Sequence, residues 1–289
     1  MKTHNKIILL IVIMLMVPLA INAQTTDQIF RAAGSPHNPK VQISFNKYYT
    51  AEGLAALSQK MADAYPDLVK RKSIGKSTEG RDIWMMAITN YKVGDADRKP
   101  GFYVDGNIHS NEIQGGEIST YTAWYLTENF GDIDYITNML DNRIFYIVPT
   151  INPDARNNYM KEANTGSSPR AGMIKLDDDR DGLFDEDGLE DLDGDGSVTR
   201  MRRKNPNGNM IVDPKDPRIM IEIGPDDVVT AQRYEFLGSE GIDNDGDGLV
   251  NEDRPGYYDP NRDWAWKWQP DYIQRGAYKY PFSAPETRA

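Results

Sequence analysis

The 289-residue sequence predicts an α/β fold, a β-sheet covered by helices on both faces. Two observations carry this: strand-like apolar runs alternate with helix-like periodic segments, and one of those runs is apolar almost throughout, as a doubly covered strand requires. From Thr26 to Lys40 the chain is polar, with Gly34, Pro36 and Pro39, and reads as a leader or linker. From Thr50, Leu54, Leu57, Met61 and Ala64 recur at three- and four-residue spacing until Pro66, which predicts the first helix. Residues 74–80 read as a turn, 81–88 as a strand, and 101–105 as a second strand running into Gly106-Asn107-Ile108-His109. A helix is expected over 113–128 and a buried strand over 143–148.

The N-terminus sets the compartment. Lys2 and Lys6 precede an apolar run from Ile7 to Ala20, and Ala23 stands before polar Gln24-Thr25-Thr26. This is the charged, apolar, small-residue order of a secretory signal peptide. The run is shorter than the roughly 20 residues a spanning helix needs, and nothing later in the chain could cross a bilayer. Expected boundaries are therefore a signal peptide at 1–23, a leader at 24–45, and one catalytic domain at 46–289, in a protein secreted or periplasmic and off the membrane after cleavage. Losing Lys2 and Lys6 moves the formal net charge from −11 to −13. So anionic a chain is a poor partner for nucleic-acid phosphates, which are bound mainly through Lys and Arg. The absence of cysteine excludes thiol nucleophiles, Cys-ligated metal and disulfides.

Chemistry concentrates at His109-Ser110-Asn111-Glu112, where a strand gives way to a helix. Ligands in open α/β sheets bind beyond the carboxyl ends of strands. Imidazole nitrogen and carboxylate oxygen both suit zinc, and a catalytic zinc takes three protein ligands plus a water. His-x-x-Glu is weak on its own and gains from its neighbours: Tyr65-Pro66, Ile74 to Arg81, Asp105 to Glu112, Val148 to Asp154, and Asp259-Pro260-Asn261-Arg262-Asp263-Trp264. In these ordered motifs the chain resembles the M14 family of zinc carboxypeptidases from Asn46 to Ala289.

The resemblance implies a carboxypeptidase-like mixed β-sheet flanked by helices, with His109 and Glu112 as zinc ligands. It also implies Asn261 and Arg262 as the grip on a substrate's terminal carboxylate, and Arg202 (or Arg203, one residue out of register) as the oxyanion donor. Bidentate Arg forks suit the first task, and fixed positive donors lower the barrier in the second. Asp263 replaces the usual Asn and is expected to weaken anion binding nearby, while Asn111 stands where many relatives carry Arg. The family's third ligand is a downstream histidine and its base a later glutamate. Here the histidines are His4, His37 and His109, and the chain stops as a new helix opens at Pro285. The expectation is a fragment with an incomplete sheet and half a zinc site, inactive by itself, from a parent that removes C-terminal residues from peptides. A cell-wall peptide amidase on the same fold, taking peptidoglycan peptides, and a non-catalytic calcium-dependent binding protein are the alternatives.

Acidic insertions occupy about 165–256, with eleven Asp and Glu among the nineteen residues 177–195. Three segments read Asp-x-Asp-x-Asp-Gly: Asp177, Asp179, Asp181; Asp191, Asp193, Asp195; and Asp243, Asp245, Asp247. Alternate carboxylates can wrap a hard cation, and the Gly permits the sharp turn. An EF-hand would close with Glu at the twelfth position, where these have Gly188, Arg202 and Arg254. They resemble instead the calcium loops of thrombospondin type 3 repeats and dockerins, which makes Ca2+ the second expected ion beside Zn2+.

Overall fold

The computed structural model describes residues 34–166, 170–256 and 258–289. The expected signal peptide, and the leader as far as residue 33, lie outside the described residues. Helix α1 (Ala51–Ala64) starts where the Thr50 side chain accepts the Gly53 N–H at 3.1 Å, and buries Leu54, Leu57 and Met61. Strands β1 (Val69–Lys76) and β2 (Asp82–Ile88) form an antiparallel hairpin, with a register shift between Ser73 and Gly75. β3 (Gly101–Asp105) leads to α2 (Gln114–Glu128), α3 (Asp134–Asn142), β4 (Ile144–Val148) and α4 (Pro153–Lys161).

The first sheet runs β1-β2-β4-β3. β4 lies antiparallel to β2 and parallel to β3, so the sheet is mixed. Alternation along each strand sorts residues to two faces. Met86, Ile88 and Ile147 join Leu57, Met61 and Trp124 in the main core under α1 and α2. Ile83 and Val148 face the other way, where Ile108, Ile151 and Trp264 cover them. That second cover comes from these loop residues and from the short C-terminal helix at 285–288, whose following Ala289 lies against Gly75 of β1. β3 is an edge strand, with Phe102 and Tyr103 exposed.

Three expectations need correction. Residues 74–76 belong to β1, and the turn is 77–81, closed by the Ser77 N–H on the Arg81 carbonyl at 2.8 Å; charged residues on an exposed strand mask its alternation. The described part of the leader is not all linker, since Val41 and Ile43 are core residues and Trp124 Nε1 donates to the Val41 carbonyl at 2.7 Å. The acidic insertion is more than loops. It holds β5 (Arg200–Lys204), β6 (Met210–Val212), β7 (Met220–Glu222) and β8 (Tyr234–Ser239), an antiparallel sheet ordered β5-β8-β6-β7. Its strands bury little, so periodicity could not announce them. The short helix α5 (Pro285–Arg288) forms where Pro285 suggested one.

Candidate metal centre

The His109 turn is built from beneath. Asn107 sits at φ 59°, and its Nδ2 donates to the carbonyls of His109 and Ser110 at 2.7 and 3.2 Å. Gly106 is required by close approach: a Cβ there would lie 2.4 Å from the Gly115 carbonyl oxygen in the first turn of α2. Under the turn, Arg156 is wholly buried. It donates to Asn107 Oδ1 (2.9 Å), the Ile113 carbonyl (3.0 Å), the Tyr49 carbonyl (2.8 Å) and Glu117 (2.6 Å). One guanidinium thus ties α4, α2, the turn and the segment before α1 together.

His109 is buried, and Nε2 lies 2.9 Å from Asp259 Oδ1. A carboxylate can only accept, so Nε2 carries a proton, and in the neutral ring Nδ1 keeps a lone pair beside Glu112. Nδ1 has no hydrogen-bond partner, yet it stands 3.1 Å from Glu112 Oε2. Zinc sits about 2.0–2.2 Å from such atoms, and two ligands of one ion can lie this far apart. The orphaned buried nitrogen beside a carboxylate fits zinc, and Asp259 supplies the partner that fixes a ligating imidazole's tautomer.

Around the pair, Arg170 donates to Glu112 Oε1 at 2.8 Å and lies 3.7 Å from Asp259 Oδ2. Arg262 stands 3.9 Å from the same Asp259 oxygen. Burial would lower the His109 pKa, but the flanking carboxylates of Asp259 and Glu112 favour the protonated ring and raise it. Burial opposes ionisation of Glu112 and Asp259, yet His109 and the arginines hold both below the usual carboxylate range.

The structure therefore brings His109, Glu112 and Arg262 together, with exposed Asn261 beside Arg262 on a short 3-10 turn, Pro260–Arg262. It does not bring Arg202 or Arg203 to them through any hydrogen bond or ion pair among the described residues. Arg202 lies in the second sheet against Met220 Sδ, its guanidinium 4.8 Å from the Tyr234 ring centre, and Arg203 pairs with Glu235. Asp263 faces away from the anion site. It is buried and accepts from Ser283 Oγ (2.9 Å), the Ala284 N–H (2.8 Å) and the Thr287 hydroxyl, tying the last segment down. The nine repeat aspartates occupy three loops; those of the first and third come together, and Asp191, Asp193 and Asp195 cluster separately. Sequence reasoning missed two site residues. Asp259 was visible two places before Asn261, whereas nothing local marks Arg170, which is 58 positions from Glu112.

Comparison with known proteins bears on the family and the fold. Human carboxypeptidase D is 28% identical over 126 residues, 44% of this chain and 9% of that protein. An inactive metallocarboxypeptidase, ECM14, from Ajellomyces capsulatus (strain H143) is 29% identical over 133 residues, 46% of this chain and 22% of its own length. The crystal structure of thrombin activatable fibrinolysis inhibitor superposes with a TM-score of 0.52 at 17% identity, over 91% of this chain and 46% of that one. The chain thus spans less than half the length of each relative, and the superposition speaks to the fold alone. A family profile described as zinc carboxypeptidase matches residues 54–289, and by that match the chain belongs to the peptidase M14 family.

Proposed function

We propose that this chain carries one half of the zinc site of an exported metallocarboxypeptidase, an exopeptidase that removes C-terminal residues from peptides. The observation that carries the reading is His109, with Nε2 committed to Asp259 and Nδ1 unpartnered beside Glu112. His109 and Glu112 would hold zinc, which when bound supplies Lewis-acid polarisation of a scissile carbonyl. Asp259 holds the imidazole in the tautomer that can ligate. Arg262 receives the substrate's terminal carboxylate, with Asn261 alongside. Arg202 or Arg203 is the oxyanion donor that the family resemblance suggests. Arg170 is a further candidate for that role, supported by its 2.8 Å contact with Glu112.

A catalytic zinc takes three protein ligands, and the turn supplies two, His109 and Glu112. An active enzyme therefore needs a third ligand and a general base besides them. Titrating residues 24–289 with zinc against a competing chelator tests the reading, alongside release of C-terminal residues from model peptides. The expectation is weak zinc binding, abolished by His109→Gln, and no turnover. Zinc binding indifferent to His109→Gln would refute the site, and robust turnover would refute its being half of one. The two-ligand geometry also favours a second reading, a non-catalytic relative. Activity restored by supplying a segment with the missing ligands would exclude it.

A further inference from the structure

The first and third acidic loops share more than Asp-x-Asp-x-Asp-Gly. Asp177 to Asp187 and Asp243 to Asp253 both read Asp-x-Asp-x-Asp-Gly-Leu-x-x-Glu-Asp, and the middle loop starting at Asp191 lacks the Leu, Glu and final Asp. Their backbones match as well. Positions four, six and nine are left-handed in both: Arg180, Gly182 and Asp185 at φ 73°, 99° and 55°, against Gly246, Gly248 and Asn251 at 89°, 97° and 65°.

The loops face each other and exchange their ends. The Asp253 carboxylate accepts the N–H groups of Asp178 and Asp185 at 3.3 and 3.2 Å, and a carboxylate oxygen of it lies within 4.8 Å of Asp177 and Asp179. Reciprocally, Asp187 accepts from Asn244 Nδ2 at 3.2 Å and lies within 4.8 Å of Asp243 and Asp245. Glu186 joins Asp179, Asp181 and Asp245, while Glu252 joins Asp245 and Asp247.

Clustered carboxylates alone would signify little. Asp187, however, is 0% exposed, and its Oδ2 has no hydrogen-bond partner. Both carboxylate oxygens of Glu186 and of Glu252 are likewise buried and unpartnered. Burying a charged oxygen with nothing to receive its lone pairs is costly, and a cation removes the cost. The ligand set suits calcium. Calcium takes about six to eight oxygen ligands in flexible geometry, whereas magnesium demands near-octahedral geometry, dehydrates reluctantly and usually binds through one or two carboxylates.

We propose that these loops form one reciprocal two-calcium unit. Asp177, Asp179, Asp181 and Glu186 hold one ion, closed by Asp253 from the third loop. Asp243, Asp245, Asp247 and Glu252 hold the other, closed by Asp187 from the first. The middle loop stands outside the unit. Its role is to clasp the two ends of the inserted segment, in a chain that has no disulfide to do so.

The test is calcium titration of zinc-free chain against a fluorescent chelator, with thermal unfolding in calcium, magnesium or EGTA. Two tight ions and a calcium-specific rise in Tm of several degrees are expected. Asp187→Asn should weaken one ion about tenfold or more, and Asp253→Asn the other. Asp187→Asn combined with Asp243→Asn should add little, since both act on one ion. Combined with Asp177→Asn it should cost both ions. Asp193→Asn should leave both in place. Should Asp187→Asn fail to fold, Glu252→Gln replaces it in the same cycle. No calcium uptake, an equal response to magnesium, or coupling within each loop instead of across the pair would each overturn the proposal. The readout is calcium, so either outcome leaves the His109 reading untouched.

Discussion

Two regions of this molecule gather carboxylates and deal with them in opposite ways. Around His109, each acidic group has a cationic or donating partner within the protein: Asp259 has the imidazole, Glu112 has Arg170, and Glu117 has buried Arg156. Their electrostatics follow, with Glu112 and Asp259 held below the ordinary carboxylate range despite burial. In the first and third acidic loops the partners are backbone N–H groups, the Asn244 amide and other carboxylates. Burial, and then the neighbouring Asp253, push the Glu186 carboxyl up to about 7; burial and Asp187 do the same to Glu252. A site whose charges balance is preorganised, whereas one whose charges do not balance is waiting for something to bind.

The sharpest way to break this comparison is to remove one negative charge from each region. Glu117→Gln should cost about 3–5 kcal/mol in denaturant unfolding, because it strands the buried Arg156 guanidinium. Glu252→Gln, measured in EGTA, should have the opposite sign and raise Tm, since it removes a charge that has no partner. If both substitutions destabilise alike, the contrast between the regions is wrong.

Next in size is Gly106→Ala. Its Cβ would meet the Gly115 carbonyl oxygen at 2.4 Å, so about 1–3 kcal/mol should be lost to forced backbone movement. Because the His109 turn moves with it, zinc affinity should fall too, and calcium uptake should not. Asp259→Asn should leave stability nearly intact and reduce zinc affinity about 10–100-fold, the usual consequence of losing the carboxylate behind a ligating imidazole. Zinc competition assays on both variants separate a lost scaffold from a lost orienting bond. Smallest is Arg170→Ala. Its pair with Glu112 is half exposed, so unfolding should shift by under about 1 kcal/mol. A larger loss would show that Arg170 supports the turn and does not merely neutralise it.

How legible each feature was depends on how local its cause is. Helices α1 and α2 and strands β2 and β4 were readable because their apolar patterning reflects one-sided or two-sided burial, and β3 from its Phe102-Tyr103-Val104 run although it is an exposed edge. β1 was half hidden, since Lys70, Arg71 and Lys72 occupy an exposed strand and Gly75 imitates a turn. The insertion's sheet was invisible because its strands bury almost nothing. At the site, His109, Glu112 and Arg262 stood in recognisable motifs. Asp263, expected to weaken anion binding nearby, accepts hydrogen bonds from the last segment, contacts that no local pattern announces, because a carboxylate's partners are whichever donors the fold brings to it.

By itself, the sequence determined the elements that pack on the core, the His-x-x-Glu turn, the absence of a cysteine-based chemistry, and the paired eleven-residue acidic pattern. These are matters of composition and short-range spacing. Only the tertiary structure decided that Asp259 orients His109, that Arg156 underpins the turn, and that Asp187 and Asp253 cross between loops 66 residues apart in pattern. Each joins groups distant along the chain, and nothing within a few residues of either partner encodes the other. Hydrogen bonds and ion pairs act over about 3 Å of space, so their partners exist only once the chain has folded.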